Sequence, residues 1–167
     1  MSRRYLILAT HAFTSRAAKM AHGVIAYSSD EVVAVVDPDH AGRRVLELLP
    51  HLRRDAPIVA SVEEGLRFAP TALLVGIAPA GGALPDVFRD AIRAALRARL
   101  EVVSGLHAIL NEDEELAALA REHDTRIWDL RLPPAAPLFS GAAWDVRAKI
   151  VLTVGSDAAV GKMTATL

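Results

Sequence analysis

The chain has 167 residues, room for one ordinary domain with a well-filled core but not for two complete ones. Hydrophobic residues make up 52% and charged residues 23%, so the chain can fold, and a net charge of −1 without a basic stripe excludes an electrostatic grip on nucleic acid. The absence of cysteine removes disulfides, thiolate metal sites and a cysteine nucleophile, and a cytoplasmic location is the expectation.

In chain order, short β-branched runs alternate with longer amphipathic stretches, the rhythm of parallel strands and crossover helices. The opening MSRRYLILATHAF resembles a signal peptide, but its apolar run is too short and His11 interrupts it, so a buried first strand is expected. No other segment is expected to span a membrane. Strands are predicted at 5–10, 31–36, 57–61, 72–77, 100–105 and 126–130, and helices at 15–27, 41–49, 62–68, 85–99 and 112–123. In the fourth helix Pro85 suits the first helical position, Asp86 the first turn, and Val87, Ile92, Leu96 and Leu100 one face. Asn111 is expected to cap the fifth, ahead of Glu112, Asp113 and Glu114. The pattern predicts an α/β fold, a Rossmann-like doubly wound parallel sheet over residues 1–131. The proline-rich stretch LPPAAPLFSGAAWDVRAK then reads as a linker over 132–148, with Trp128 and Trp144 pinning it. KIVLTV at 149–154 is predicted to be a new strand opening a second, incomplete P-loop domain over 149–167.

Only three of the 19 basic residues are lysine: Lys19, Lys149 and Lys162. A compact ammonium and a planar guanidinium are not interchangeable against a phosphate, which gives Lys162 weight. It closes a loop in which Gly155 and Gly161 enclose five residues, where a Walker A loop encloses four, and Met163 holds the place of the magnesium-binding hydroxyl. Thr164 comes one step late, rotated by about 100° along a helix, so its reach to a metal is doubtful on geometry.

Ligands of open α/β sheets bind at the carboxyl ends of the strands. Those ends carry Thr10 and His11, then Asp37, then Gly76, Gly81 and Gly82, then Ser104, Gly105 and His107. Asp37 stands where a dinucleotide fold holds a ribose, or is a turn former ahead of Pro38 and Asp39. The first turn, ATHAFTSRAAK, has no glycine, so NAD in the usual manner is not expected. Gly81 and Gly82 admit either an anion or a tight connection. His11 and His107 either donate to a carboxylate, serve as a general base, or are structural. His22, His40, His51 and His123 lack metal-ligand spacing and read as solvated surface; no metal site is expected in this domain.

The loop VGSDAAVGKMT resembles that of dethiobiotin-synthetase-like P-loop proteins, which also place five residues between the glycines and an Asp two after the first. Together with the loop chemistry this gives a phosphate-binding set of Gly155, Ser156, Asp157, Gly161, Lys162 and Thr164. More closely, LLVGIAPAGGALP, EVVSGLH, WDLRLPP and VLTVGSDAAVGKMT, in that order and spacing, resemble a family long labelled as of unknown function. Its members have a Rossmann-like N-terminal half and a P-loop C-terminal half, and some are D-glutamate N-acetyltransferases. The resemblance implies that this is the N-terminal part of a longer transferase, inactive alone, with a small-molecule substrate and either acetyl-CoA or ATP/GTP with magnesium as cofactor. No nucleic-acid or membrane partner is expected, and copies are expected to form a homo-oligomer. A second reading makes residues 1–131 a ligand-binding or assembly module of a nucleotide-binding P-loop protein.

Overall fold

A computed structural model of the chain describes residues 2–77, 84–132, 141, 145–156 and 162–166. The chain divides into two units, Met1–Pro133 and Pro134–Leu167. In the first, the elements run β1 (Arg4–Leu8), α1 (Lys19–Tyr27), β2 (Glu31–Val36), α2 (Val45–Leu48), β3 (Ile58–Val59), α3 (Val62–Gly65), β4 (Ala72–Val75), α4 (Asp86–Arg97), β5 (Glu101–Ser104), α5 (Glu114–Glu122) and β6 (Ile127–Asp129). Every ladder is parallel, and the strand order is β3-β2-β1-β4-β5-β6. This is the doubly wound Rossmann arrangement, whose order reverses between β1 and β4.

The strands are nearly continuous apolar runs because both faces of a parallel sheet are covered. Leu6, Ile7, Leu8, Val35, Leu73, Val75 and Val102 are all buried. Backbone placement is tight: a Cβ on Gly65 of α3 would fall 2.6 Å from Leu6 Cδ1.

Three local expectations are corrected. The helix predicted at 41–49 shrinks to α2, because Gly42 to Val45 bond to the outer edge of β3: the Gly42 N–H donates to Ile58 O, the Ile58 N–H to Arg43 O and the Val45 N–H to Ala56 O. A free strand edge captures the backbone before a helix can begin. In α4, Pro85 is the N-cap residue rather than the first helical one, and Phe88 joins Ile92 and Leu96 inside while Val87 is exposed. For α5 the cap is Asp113, whose side chain accepts from the Leu116 N–H.

In the second unit, residues 149–155 form no strand, and Ile150, Val151, Leu152 and Val154 are 69%, 91%, 78% and 77% exposed. A strand needs a partner for its ladder, and no described segment of that unit provides one. A short helix, α6 (Lys162–Thr166), is present; its Thr166 hydroxyl bonds the Lys162 carbonyl and the Thr153 hydroxyl, both at 2.9 Å.

Candidate functional site

Because all six strands are parallel, Thr10, His11, Asp37, Gly76, Ser104, Gly105 and His107 share the carboxyl edge of the sheet, as the strand pattern predicts. Gly81 and Gly82 lie outside the described residues. At the point where the strand order reverses, Gly76 donates to Leu8 O at 2.8 Å and accepts from the Ala21 N–H, in the first turn of α1, at 2.9 Å. A Cβ there would meet Ile7 Cγ2 at 2.6 Å and Ala21 Cβ at 2.8 Å, so close packing of α1 on the sheet demands the glycine. Ser15 caps the 3-10 turn leading into α1, its hydroxyl accepting from the Ala17 N–H. Two amides that a dinucleotide pyrophosphate would need at this end are thus engaged within the fold.

Asp37, at the end of β2, is fully buried, and its carboxylate turns toward β1. Its Oδ1 accepts the His11 N–H at 2.9 Å and its Oδ2 lies 2.7 Å from His40 Nδ1. Both oxygens are occupied, and the side chain serves as the brace of the β1 and β2 turns rather than as an exposed ribose acceptor. Held by that bond, His11 adopts a left-handed backbone with φ 58°, unusual for a residue with a Cβ. Its ring Nδ1 stands 2.8 Å from Asp39 Oδ1, and the two side chains are 57% and 52% exposed. His11, Asp37 and Asp39 each offer a ligand atom within 4.8 Å of the others, a grouping that the sequence reading, which assigned no metal site, did not find. His40 is not solvated surface, being spent on Asp37. Nor is His22, whose Nε2 lies 2.6 Å from Phe13 O and whose ring meets Phe13 edge-on at 5.6 Å.

At the ends of β5 and β6 a second buried carboxylate does comparable work. Asp129 Oδ1 accepts from the Leu110 N–H at 3.0 Å, and Oδ2 from the Asn111 N–H at 3.1 Å and Asn111 Nδ2 at 2.7 Å. Asn111, expected as a helix cap, is instead held by this bond and by one to Ile127 O. Ser104 is buried; its hydroxyl accepts from the Leu106 N–H at 3.2 Å and its carbonyl from the Leu130 N–H. A Cβ on Gly105 would meet only the mobile end of Met20, with Cε at 2.3 Å. His107 is exposed and makes no hydrogen bond among the described residues. Sequence reasoning missed Asp129; the available signal was an acid closing a short apolar strand in the quoted motif WDLRLPP.

The opposite, amino edge carries ion pairs of its own. Glu101 bonds Arg3 and Arg126, each at 2.7 Å, and Arg3, just ahead of β1, lies 4.6 Å over the Trp128 ring. Trp144 lies outside the described residues. Burial pushes the Glu101 carboxyl up, but the hydrogen bond and charge of Arg3, with those of Arg126, outweigh it and hold the group below its ordinary value. Two open depressions of about 310 and 420 Å³ adjoin these residues, lined by Arg3, Arg126 and Trp128 and by Thr71, Arg99 and Asp124. Neither lies at the carboxyl edge.

In the second unit Gly155 and Ser156 are exposed and Lys162 opens α6, while Asp157, Gly161 and the side chain of Thr164 lie outside the described residues. No helix among the described residues is long and apolar enough to cross a membrane.

Comparison with known proteins bears on this arrangement. Residues 38–133 match the domain of unknown function DUF1611_N, described as a Rossmann-like domain. A crystal structure of a DUF1611 family protein from Anabaena variabilis is similar with a TM-score of 0.91 and 38% identity, covering 99% of this chain and 48% of that one. Two curated relatives carry the name D-glutamate N-acetyltransferase. One, from a Pseudoalteromonas species, is 34% identical over 107 residues, 64% of this chain and 32% of its own length. The other, from Tritonibacter scottomollicae, is 30% identical over 128 residues, 75% and 37% respectively. The chain therefore spans about a third of the length of these relatives. With its six-stranded parallel sheet and this match across most of the first unit, the chain belongs to the family of the DUF1611 N-terminal Rossmann-like domain.

Proposed function

We infer that the complete protein is an acyltransferase that moves an acetyl group from acetyl-CoA to the amine of an acidic D-amino acid, D-glutamate being the first to test. The similarity to two relatives named D-glutamate N-acetyltransferase carries this reading. Its substrate specificity is a proposal, since a fold by itself hosts many chemistries. The loop from Gly155 to Lys162 suits the phosphates of coenzyme A, through backbone amides and one ammonium, and the carboxyl edge of the first unit receives the small anionic substrate.

The test is full-length protein incubated with acetyl-CoA and D-glutamate, with L-glutamate as the control, followed by mass spectrometry of the product and release of free thiol. N-acetyl-D-glutamate is the expected product; none, with D-glutamate or related acidic D-amino acids, contradicts the reading. Replacing Lys162 by Ala is expected to weaken acetyl-CoA use by about 1–3 kcal/mol, as for loss of a charged hydrogen bond. The glycine spacing of the loop and Lys162 at the start of α6 favour a second reading, an ATP- or GTP-binding protein of dethiobiotin-synthetase-like type. That reading predicts magnesium-dependent nucleotide binding by the full-length protein and no acetyl product.

A further inference from the structure

We propose that His11 is the proton acceptor of the acyl transfer and that Asp39 orients its ring, an assignment that rests on the acetyl-transfer reading above. The geometry is that of a base positioned by a carboxylate. His11 Nδ1 lies 2.8 Å from Asp39 Oδ1. An ionised carboxylate only accepts, so the neutral imidazole carries its hydrogen on Nδ1 and keeps its lone pair on Nε2. The ring is 57% exposed, which leaves a face open to a substrate at the carboxyl edge of the sheet.

The His11 backbone is held by contacts separate from those of its ring. His11 is held at φ 58°, where asparagine or glycine sits at lower cost, and the buried Asp37 carboxylate fixes it there through the His11 N–H at 2.9 Å. His40 holds the other Asp37 oxygen at 2.7 Å. Two side chains thus brace a conformation whose own side chain is mostly in solvent and adds little to the core. Asparagine or glycine would suit that backbone as well, and what histidine adds there is the imidazole. The other strained backbones, at Ala69, Arg99 and Asp124, each lie just past a helix end, where left-handed residues are ordinary. His11 stands third in a turn closed by the Ala12 N–H to Ala9 O at 3.0 Å, where a positive φ also occurs; what is particular to it is the brace from the buried Asp37.

In the reaction, the nitrogen of the amino acid attacks the thioester carbonyl carbon, the C–N bond forms and the C–S bond breaks. His11 Nε2 takes the proton that nitrogen loses, and the imidazolium returns it to the departing thiolate or to water. Amine and thioester become amide and thiol, with no other reactant. Among the described residues the titratable groups facing His11 are Asp37, Asp39 and His40, all from the turn after β2.

The experiment measures kcat and KM against pH for full-length wild type, His11→Asn, His11→Gly with and without added imidazole, Asp39→Asn and, as a control on an exposed residue of another loop, His51→Asn. Asparagine tolerates the left-handed backbone, so His11→Asn keeps the fold, checked by its melting temperature. The expected result is a kcat loss of ~10²–10⁴-fold in His11→Asn, with KM for acetyl-CoA little changed and the acid limb of the profile lost. Asp39→Asn loses less, His51→Asn nothing, and added imidazole restores part of the activity of His11→Gly. A wild type that acetylates D-glutamate beside a His11→Asn variant with the same kcat and pH profile overturns the assignment alone. A wild type that forms no acetylated product overturns the acetyl-transfer reading, and this assignment with it.

Discussion

At the end of β2, Asp37 reaches back to the His11 amide in the loop after β1; at the end of β6, Asp129 reaches back to the Leu110 and Asn111 amides in the loop after β5. In both corners a buried carboxylate on the outer strand braces the loop that leaves its inner neighbour. The leftovers differ. Around Asp129 the acceptors are filled by amides and the Asn111 side chain. Around Asp37 a histidine ring and a second carboxylate remain paired with each other at the surface. The same brace therefore serves stability alone in one corner, and in the other also fixes a group with chemistry to offer.

Removing the braces separates the two corners first. Asp129→Ala strands three donors and is expected to cost about 4 kcal/mol, while Asp37→Ala strands one amide and one imidazole and costs about 3 kcal/mol, both read by urea denaturation. Equal and small losses would break the idea that these carboxylates hold the loops. The two glycines of the neighbouring strand ends give the next contrast. Gly76→Ala drives a Cβ against Ile7, Ala21 and the Leu8 carbonyl and should cost about 3 kcal/mol; Gly105→Ala meets only the end of Met20, which can swing away, and should cost about 1 kcal/mol.

The amino edge supplies a pH test that leaves both corners untouched. Glu101 is held below its ordinary value in the folded chain, so its contribution is complete above about 4.5, its unfolded value, and fades as pH falls through the lower folded value. Glu101→Gln is expected to lower stability by about 1 kcal/mol at pH 7 and to flatten that acid-side loss, followed by melting temperature against pH. The smallest effect belongs to His11→Gly, which relieves a left-handed histidine and gives up one exposed pairing; stability should rise by up to about 1 kcal/mol. A variant more stable yet less active is the expected mark of a residue kept for chemistry.

The six strands were legible because parallel pairing leaves long apolar runs that periodicity detects, YLIL in β1 and EVVAVV in β2. The length of α2 was not, since the capture of Gly42 to Val45 by the edge of β3 is a tertiary event with no local signal. Caps slipped by one or two residues for a related reason: Asn111 and Asp113 are both good cap residues, and the presence of Asp129 across the sheet decides between them. His11 and Asp37 were each visible as strand-end residues. Their meeting followed from β1 and β2 being parallel neighbours, but the pairing of His11 with Asp39 depends on side-chain directions that no spacing encodes.

What His11 presents to solvent depends on the tautomer of its ring, which can be measured directly. Nitrogen-15 spectra of histidine-labelled protein, with the His11 signals assigned by His11→Asn, should show the neutral ring carrying its hydrogen on Nδ1, donated to Asp39, and Asp39→Asn should weaken that preference. His107, which makes no hydrogen bond among the described residues, should show the usual Nε2–H form. A His11 ring that carries its hydrogen on Nε2, as His107 does, and that ignores Asp39→Asn would contradict the distinction between the two corners.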